Sequence, residues 1–417
     1  MLGRIREWAG TVTVTGMDLA VLALFASASF QWEFGPDPLR VALVEPVALV
    51  VLVYLIMSGT PSVERPRLHG VAWLWLGLAA WAGLQWLMAT DWRFGARDVR
   101  QLMLAALVLA ALLRRRDFDP RRAAWIAIGV ACLSALAADT QRLTGWFEPP
   151  FATVYYKDVL TPPTGAGVPV AVGFFNNANV FAAFIFWPLL IAVARLIRGP
   201  QRLLAAGGVV LLSLSLYWSL ARGVMAGVVL GTLFLAIFLF ARRRMLAFGL
   251  VTLLAAMTFG VVLYFGSTHP QGGFFLTLGL RRVLWDAALE MMRRTPTFLL
   301  SGVGAHAVDY LHGFALLGRE DPHNLYLYLM THYGLAGLGV MLLTAWAVLS
   351  NGWRALRETP MRPGPVWIAV FSGWAALLVM GMLDSYFTDA PWRIWFMLML
   401  AITLAFRTSV NPAPAEV

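Results

Sequence analysis

Apolar residues in this chain run in long blocks, not in the period-two or one-stripe patterns of a soluble fold. A hydrocarbon core of roughly 30 Å is crossed by about 20 helical residues. Windows of that kind fall near 17–34, 39–58, 70–89, 99–113, 122–138, 168–194, 203–219, 223–240, 245–265, 324–350, 365–383 and 391–406. The pattern predicts an all-α integral membrane protein of about 12 transmembrane helices, a single polytopic domain over 1–417. The fourth and fifth windows are short enough to tilt or to insert part-way. The N-terminal run, with basic residues ahead of its apolar stretch, reads as the first span and not as a cleaved signal.

Composition agrees: 60% of residues are hydrophobic and 13% charged, with a mean hydropathy of +0.72, too apolar for a soluble globule. The net charge of +10 comes from short arginine clusters between apolar windows, so it reports topology and argues against nucleic acid as a partner. Alternate loops hold 19 of the 32 basic residues, in runs such as RRRDFDPRR and ARRRM. Positively charged short loops stay in the cytoplasm, which puts both termini there and the segments 139–167 and 266–323 on the opposite, outer side. Cys132 stands alone and forms no internal disulfide.

The two outer segments hold more chemistry than a connection needs. The first contains Arg142, Lys157 and Asp158; the second contains Arg281, Arg282, Arg293, Arg294, Arg319 and four of the six histidines. Outer positive charge opposes the topological preference, and an anionic ligand is one reason for it. Within 266–323, LGLRRVLWDAALEMMRR reads as an amphipathic interfacial helix ended by Pro296, with Trp285, Leu289 and Met292 on its apolar stripe. Arg282 pairs with Asp286, and Arg294 with Glu290, at i,i+4 spacing. Arg281 has Trp285 four residues on, so its guanidinium is expected either to stack on the indole with its donors available or to snorkel at the interface.

His323 stands with Pro322 where the chain re-enters the membrane, and a neutral imidazole at a helix start is a candidate general base; the alternative is a capping or interfacial histidine. Asp321 and Asn324 are near enough to cap that helix or to orient a substrate. Arg222 sits in a tight outer hairpin, as a ligand for an anion or as an anchor, since arginine at a helix centre costs about 2.5–3.5 kcal/mol. Asn176, Asn177 and Asn179 at the outer end of the sixth window face a polar cavity or glue helices together. Spacings diagnostic of a metal site are absent from the histidines.

GFFNNANVFA, LARGVMAG, RRVLWDAALEMM followed by TPTFLLSGVG, and PHNLYLYLMTHYGLAG, in this order over about 168–340, resemble the signature blocks of the O-antigen ligase and polymerase superfamily. The arginine block reads LARG where many relatives have serine before the arginine. The resemblance implies a GT-C-like membrane glycosyltransferase without cofactor or metal, in a bacterial inner membrane with its active site facing the periplasm. It implies an undecaprenyl-diphosphate-linked glycan as donor and lipid A-core as acceptor, or a second carrier-linked glycan if the chain is a polymerase. Carried over by position, the essential histidine falls on His323 and the diphosphate-binding arginines on Arg222 and Arg281, where the RxxxW spacing selects Arg281 over Arg282. Asn179, Asn324, Arg142, Lys157, Asp158, Arg319 and Asp389 are expected to guide donor or acceptor. A transporter or flippase is the rival class, and the near absence of charge at the window centres argues against it.

Overall fold

In a computed structural model the described residues are 14–30, 33–34, 41–58, 69–88, 95–144, 156–157, 168–175, 177–199, 201–240, 248–249, 251–254, 257, 273–304, 322–358, 364–388 and 390–410. Helices dominate: α1 (Gly16–Ala28), α2 (Val44–Met57), α3 (His69–Leu87), α4 (Ala96–Arg114), α5 (Pro120–Thr144), α6 (Ala178–Arg198), α7 (Arg202–Ser219), α8 (Arg222–Phe240), α9 (Gly273–Arg294), α10 (Pro296–Ser301), α11 (Leu325–Glu358), α12 (Pro365–Met380) and α13 (Ala390–Val410). A short 3-10 turn, Tyr386–Thr388, and two antiparallel pairs of two-residue strands, Glu33–Phe34 with Val41–Ala42 and Tyr156–Lys157 with Val168–Pro169, complete the described elements.

Among the described residues six helices are long and apolar enough to cross a membrane, and four more are apolar but shorter. This architecture fits an integral membrane protein. Large apolar side chains such as Val50, Ile56, Leu133 and Trp346 stand exposed on the outside of the bundle, as they would against lipid. The window 245–265 lies mostly outside the described residues. The sixth window shortens at its start: residues 168–177 hold a strand, a turn with Gly173 at φ 58, and Asn177, whose side chain accepts from the Asn179 N–H and caps α6. The Asn177 cap sets the start of α6.

α6 is the central helix. Of its span 83% is buried, against 33% for α7, and it is apolar all round, as a helix enclosed by others must be. Trp187 on α6 lies 5.6 Å from Trp374 on α12, and Phe184 4.1 Å from Trp395 on α13. These offset and tilted rings form the middle of the core.

One crossing sets the outer architecture. α11 is broken at Gly334 (φ 66, ψ −156), and Gly302, at φ 72, lies directly against the break. A Cβ at Gly302 would fall 2.5 Å from the Gly334 nitrogen, and one at Gly334 would fall 2.2 Å from the Leu300 carbonyl oxygen. Only glycine permits both the positive φ and the contact. The Val303 N–H donates to the Thr331 carbonyl at 2.7 Å, so the end of α10 is stitched to the upper piece of α11.

On α9 the buried face is Leu284, Ala287, Ala288, Met291 and Met292, whereas Leu289 is 51% exposed. The stripe expected through Trp285, Leu289 and Met292 is thus rotated. The i, i+3, i+4, i+7 series from Leu284 carries small residues that allow close approach, and it wins the contact. Pro296 opens α10 and does not simply end α9, in keeping with proline's fitness for a first helical turn.

Candidate functional site

Segments far apart in sequence converge on one carboxylate, Asp384, in the turn between α12 and α13. His323 Nδ1 lies 3.1 Å from Asp384 Oδ1, and the Asn179 amide donates to Oδ2 at 3.2 Å. The Arg281 guanidinium stands 3.7 Å from Oδ2 and donates to the Leu383 carbonyl next door. The Ser385 N–H donates to Oδ1 at 3.0 Å.

Local structure explains the meeting. Asn324 is the N-cap of α11, its Oδ1 accepting from the Tyr326 and Leu327 N–H groups at 3.0 and 3.1 Å. Its amide also donates to the Met382 carbonyl at 3.3 Å, and the Leu325 N–H donates to the Gly381 carbonyl at 2.7 Å. The start of α11 is therefore laced to the turn that carries Asp384, and His323, one residue before the cap, is held opposite it. His323 pays for that position in backbone conformation: its φ is 48, a left-handed value that costs a residue other than glycine about 1–3 kcal/mol and is concentrated at functional sites. Among the described residues the other such case is Leu220 (φ 53), in the turn that leads into Arg222.

Burial opposes the negative charge of Asp384, yet the His323 bond and the Arg281 charge hold its carboxyl below the usual carboxylate range. An ionised Asp384 accepting from Nδ1–H leaves Nε2 as the nitrogen that takes a proton, with the tautomer inferred from this bond. Side-chain exposures of 24% for His323 and 16% for Arg281, against 9% for Asp384, set the carboxylate behind the two more open groups.

Arg222 is exposed at the first residue of α8. It adjoins the same turn through its neighbour Gly223, where a Cβ would lie 3.7 Å from the Tyr386 hydroxyl and 3.8 Å from Leu383 Cβ. The structure thus brings His323, Arg281 and Asn179 together, with Arg222 beside them and Asn324 beneath as a cap. Arg142 is engaged elsewhere, 5.1 Å over the Trp218 ring and donating to its carbonyl at 3.4 Å. Lys157 belongs to the strand Tyr156–Lys157; its side chain, and residues Asn176, Asp158, Arg319, Asp321 and Asp389, lie outside the described residues.

The stacking expected of Arg281 on Trp285 is replaced by a division of labour. The guanidinium turns to Leu383 and Asp384, and the indole N–H donates to the Pro322 carbonyl at 2.7 Å, tying α9 to the approach of His323. The expected ion pairs do form: Arg282–Asp286 at 3.8 Å and Arg294–Glu290 at 2.8 Å, all exposed or nearly so.

Sequence reasoning missed Asp384. It named Asp389, five positions on, although an acid directly after an apolar window, in MLDSYF, is itself a signal, since a charge at a span end needs a partner. It also missed a second, sealed network. Arg393 on α13 donates to the Phe387 carbonyl at 3.0 Å, the Asp98 carbonyl at 2.9 Å, the Asp98 carboxylate and the Tyr328 hydroxyl at 3.3 Å. The Tyr333 hydroxyl donates to the other Asp98 oxygen at 2.6 Å. His332 stacks on Tyr328 at 4.0 Å.

No curated protein matches the chain. Residues 207–342 match the family model described as O-antigen ligase, a stretch that includes Arg222, Arg281 and His323, while Asn179 and Asp384 lie to either side of it. Over that stretch the chain is similar to the O-antigen ligase family.

Proposed function

We propose that the chain is an O-antigen ligase that transfers a glycan from undecaprenyl diphosphate to the lipid A-core oligosaccharide, at the outer face of a bacterial inner membrane. Twelve spans, a GT-C-like layout and cytoplasmic termini belong to the same reading. The observation that supports it most is the meeting of Arg281, Asn179 and His323 at one buried carboxylate, with Arg222 alongside.

His323 Nε2 takes the proton of an acceptor hydroxyl as the oxygen attacks the anomeric carbon. The bond from that carbon to the phosphate oxygen breaks, and its electron pair leaves with the diphosphate from the opposite face, so the anomeric configuration inverts. Asp384 holds the imidazole in the required tautomer and stabilises the imidazolium that forms. Arg222 and Arg281 place fixed positive charge where the leaving group gains negative charge, which is the form of stabilisation that lowers a barrier most. The two guanidiniums supply this charge without a metal.

Polymerase chemistry is identical except that the acceptor is a second carrier-linked glycan. Ligase is preferred because one large outer segment, 266–323, carries the histidine block. The test is to incubate purified protein with carrier-linked glycan, with and without lipid A-core. Glycan on lipid A-core supports the ligase; lengthened carrier-linked glycan supports the polymerase. His323→Ala is expected to lower transfer by about 10²–10⁴ in protein that still folds, and near-normal transfer by that variant overturns the assignment.

A further inference from the structure

Tyr386 is 2% exposed, and its hydroxyl has no hydrogen-bond partner among the described residues. The hydroxyl is fixed in place. Its ring packs edge-on to Trp392 at 5.6 Å, the next residue's carbonyl is gripped by Arg393, and the preceding N–H is engaged by Asp384. Native proteins seldom leave a buried polar group unpaired, and each case calls for an explanation.

The location supplies one. The oxygen lies against the first turn of α8, 3.7 Å from where a Cβ at Gly223 would stand, hence beside Arg222; Asp384 and Arg281 are the charged groups that act on it. The turn thus sets a phenolic donor against the helix turn that begins with Arg222, and near Arg281, the two arginines assigned to the leaving group. Guanidiniums only donate, a phenol can donate, and diphosphate oxygens only accept. The Asp384 oxygens, by contrast, already accept from His323, Asn179 and Ser385.

We propose that the Tyr386 hydroxyl is a donor-binding group that hydrogen-bonds a diphosphate oxygen of the carrier lipid, alongside Arg222 and Arg281. The inference rests on the glycosyl-transfer reading above and adds a residue to its donor site.

Tyr386→Phe removes one oxygen and keeps the ring. A hydroxyl whose only role is structural would leave a bond behind; an unpaired one leaves nothing. In nanodiscs, binding of undecaprenyl diphosphate and transfer from carrier-linked glycan are measured for wild type, Tyr386→Phe and His323→Ala, each with its thermal unfolding midpoint. Hydrogen bonds to charged groups are worth roughly ten-fold or more in affinity. The expected result is that Tyr386→Phe binds undecaprenyl diphosphate about ten-fold more weakly, transfers correspondingly less at low donor, and unfolds no lower than wild type. His323→Ala binds the carrier normally and does not transfer. Equal carrier binding by wild type and Tyr386→Phe, or a lower unfolding midpoint for the variant, overturns the Tyr386 proposal alone. Wild type that neither binds the carrier nor transfers overturns the functional reading and the proposal with it.

Discussion

Two clusters near the same end of the bundle use the same ingredients, a carboxylate, an arginine, a histidine and tyrosines, to opposite ends. Around Asp98 every partner is close: the Arg393 side chain is 1% exposed and that of Asp98 18%, and both Asp98 oxygens are occupied at short range. Around Asp384 the contacts run from 3.0 to 3.7 Å, His323 and Arg281 remain partly open, and a buried hydroxyl has no partner among the described residues. A saturated network holds helices; a network with capacity left over can take a substrate. The two are joined by the turn itself, since Arg393 grips Phe387 three residues after Asp384.

Breaking the sealed cluster should cost most. Arg393→Met takes from Asp98 its fully buried partner, and removing one partner of a buried pair costs up to about 3–5 kcal/mol; loss of the folded fraction in detergent unfolding checks it. Pairing that change with Asp98→Leu should restore most of the lost stability, because apolar replacement of both charges is often neutral. In the open cluster Asp384→Asn should spare the fold but lower transfer by up to about 10⁴-fold, as when an orienting acid loses its charge. The acid limb of its pH–rate profile should move to lower pH, because the carboxylate that favoured the imidazolium is gone.

A smaller effect follows from the depressed carboxyl of Asp384. The folded state favours its ionised form, so the contribution to stability is complete above the unfolded value of about 4 and drains as pH falls through the lower folded value. Wild type should therefore lose more stability than Asp384→Asn on titration below about pH 4, read by unfolding midpoints. Arg282→Ala, which breaks an exposed pair, should change stability by no more than about 0.5 kcal/mol and leave transfer untouched.

What could be read in the sequence was local. Apolar runs located the helices because lipid-crossing segments must be long and apolar, and i,i+4 spacing found Arg282–Asp286 and Arg294–Glu290 because helix geometry alone brings them together. The family blocks located Arg222, Arg281 and His323. What stayed hidden was pairing across the chain: Asp384 lies 61 positions from His323 and 205 from Asn179, and Arg393 lies 295 from Asp98. No periodicity records such contacts; only helix packing makes them. The rotated stripe of α9 has the same origin, since several faces of that helix are apolar enough and the choice among them is made by what it meets.

The glycine crossing of Gly302 and Gly334 bears on how the protein changes over generations. The chain leaves that crossing at Gly304 and comes back at Pro322, whose carbonyl is tied to Trp285. Both ends of the excursion are moored to fixed backbone, by the Val303–Thr331 bond on one side and by the indole on the other. A side chain at either glycine would strike fixed backbone, so both positions are closed to substitution and change across generations has to go around them.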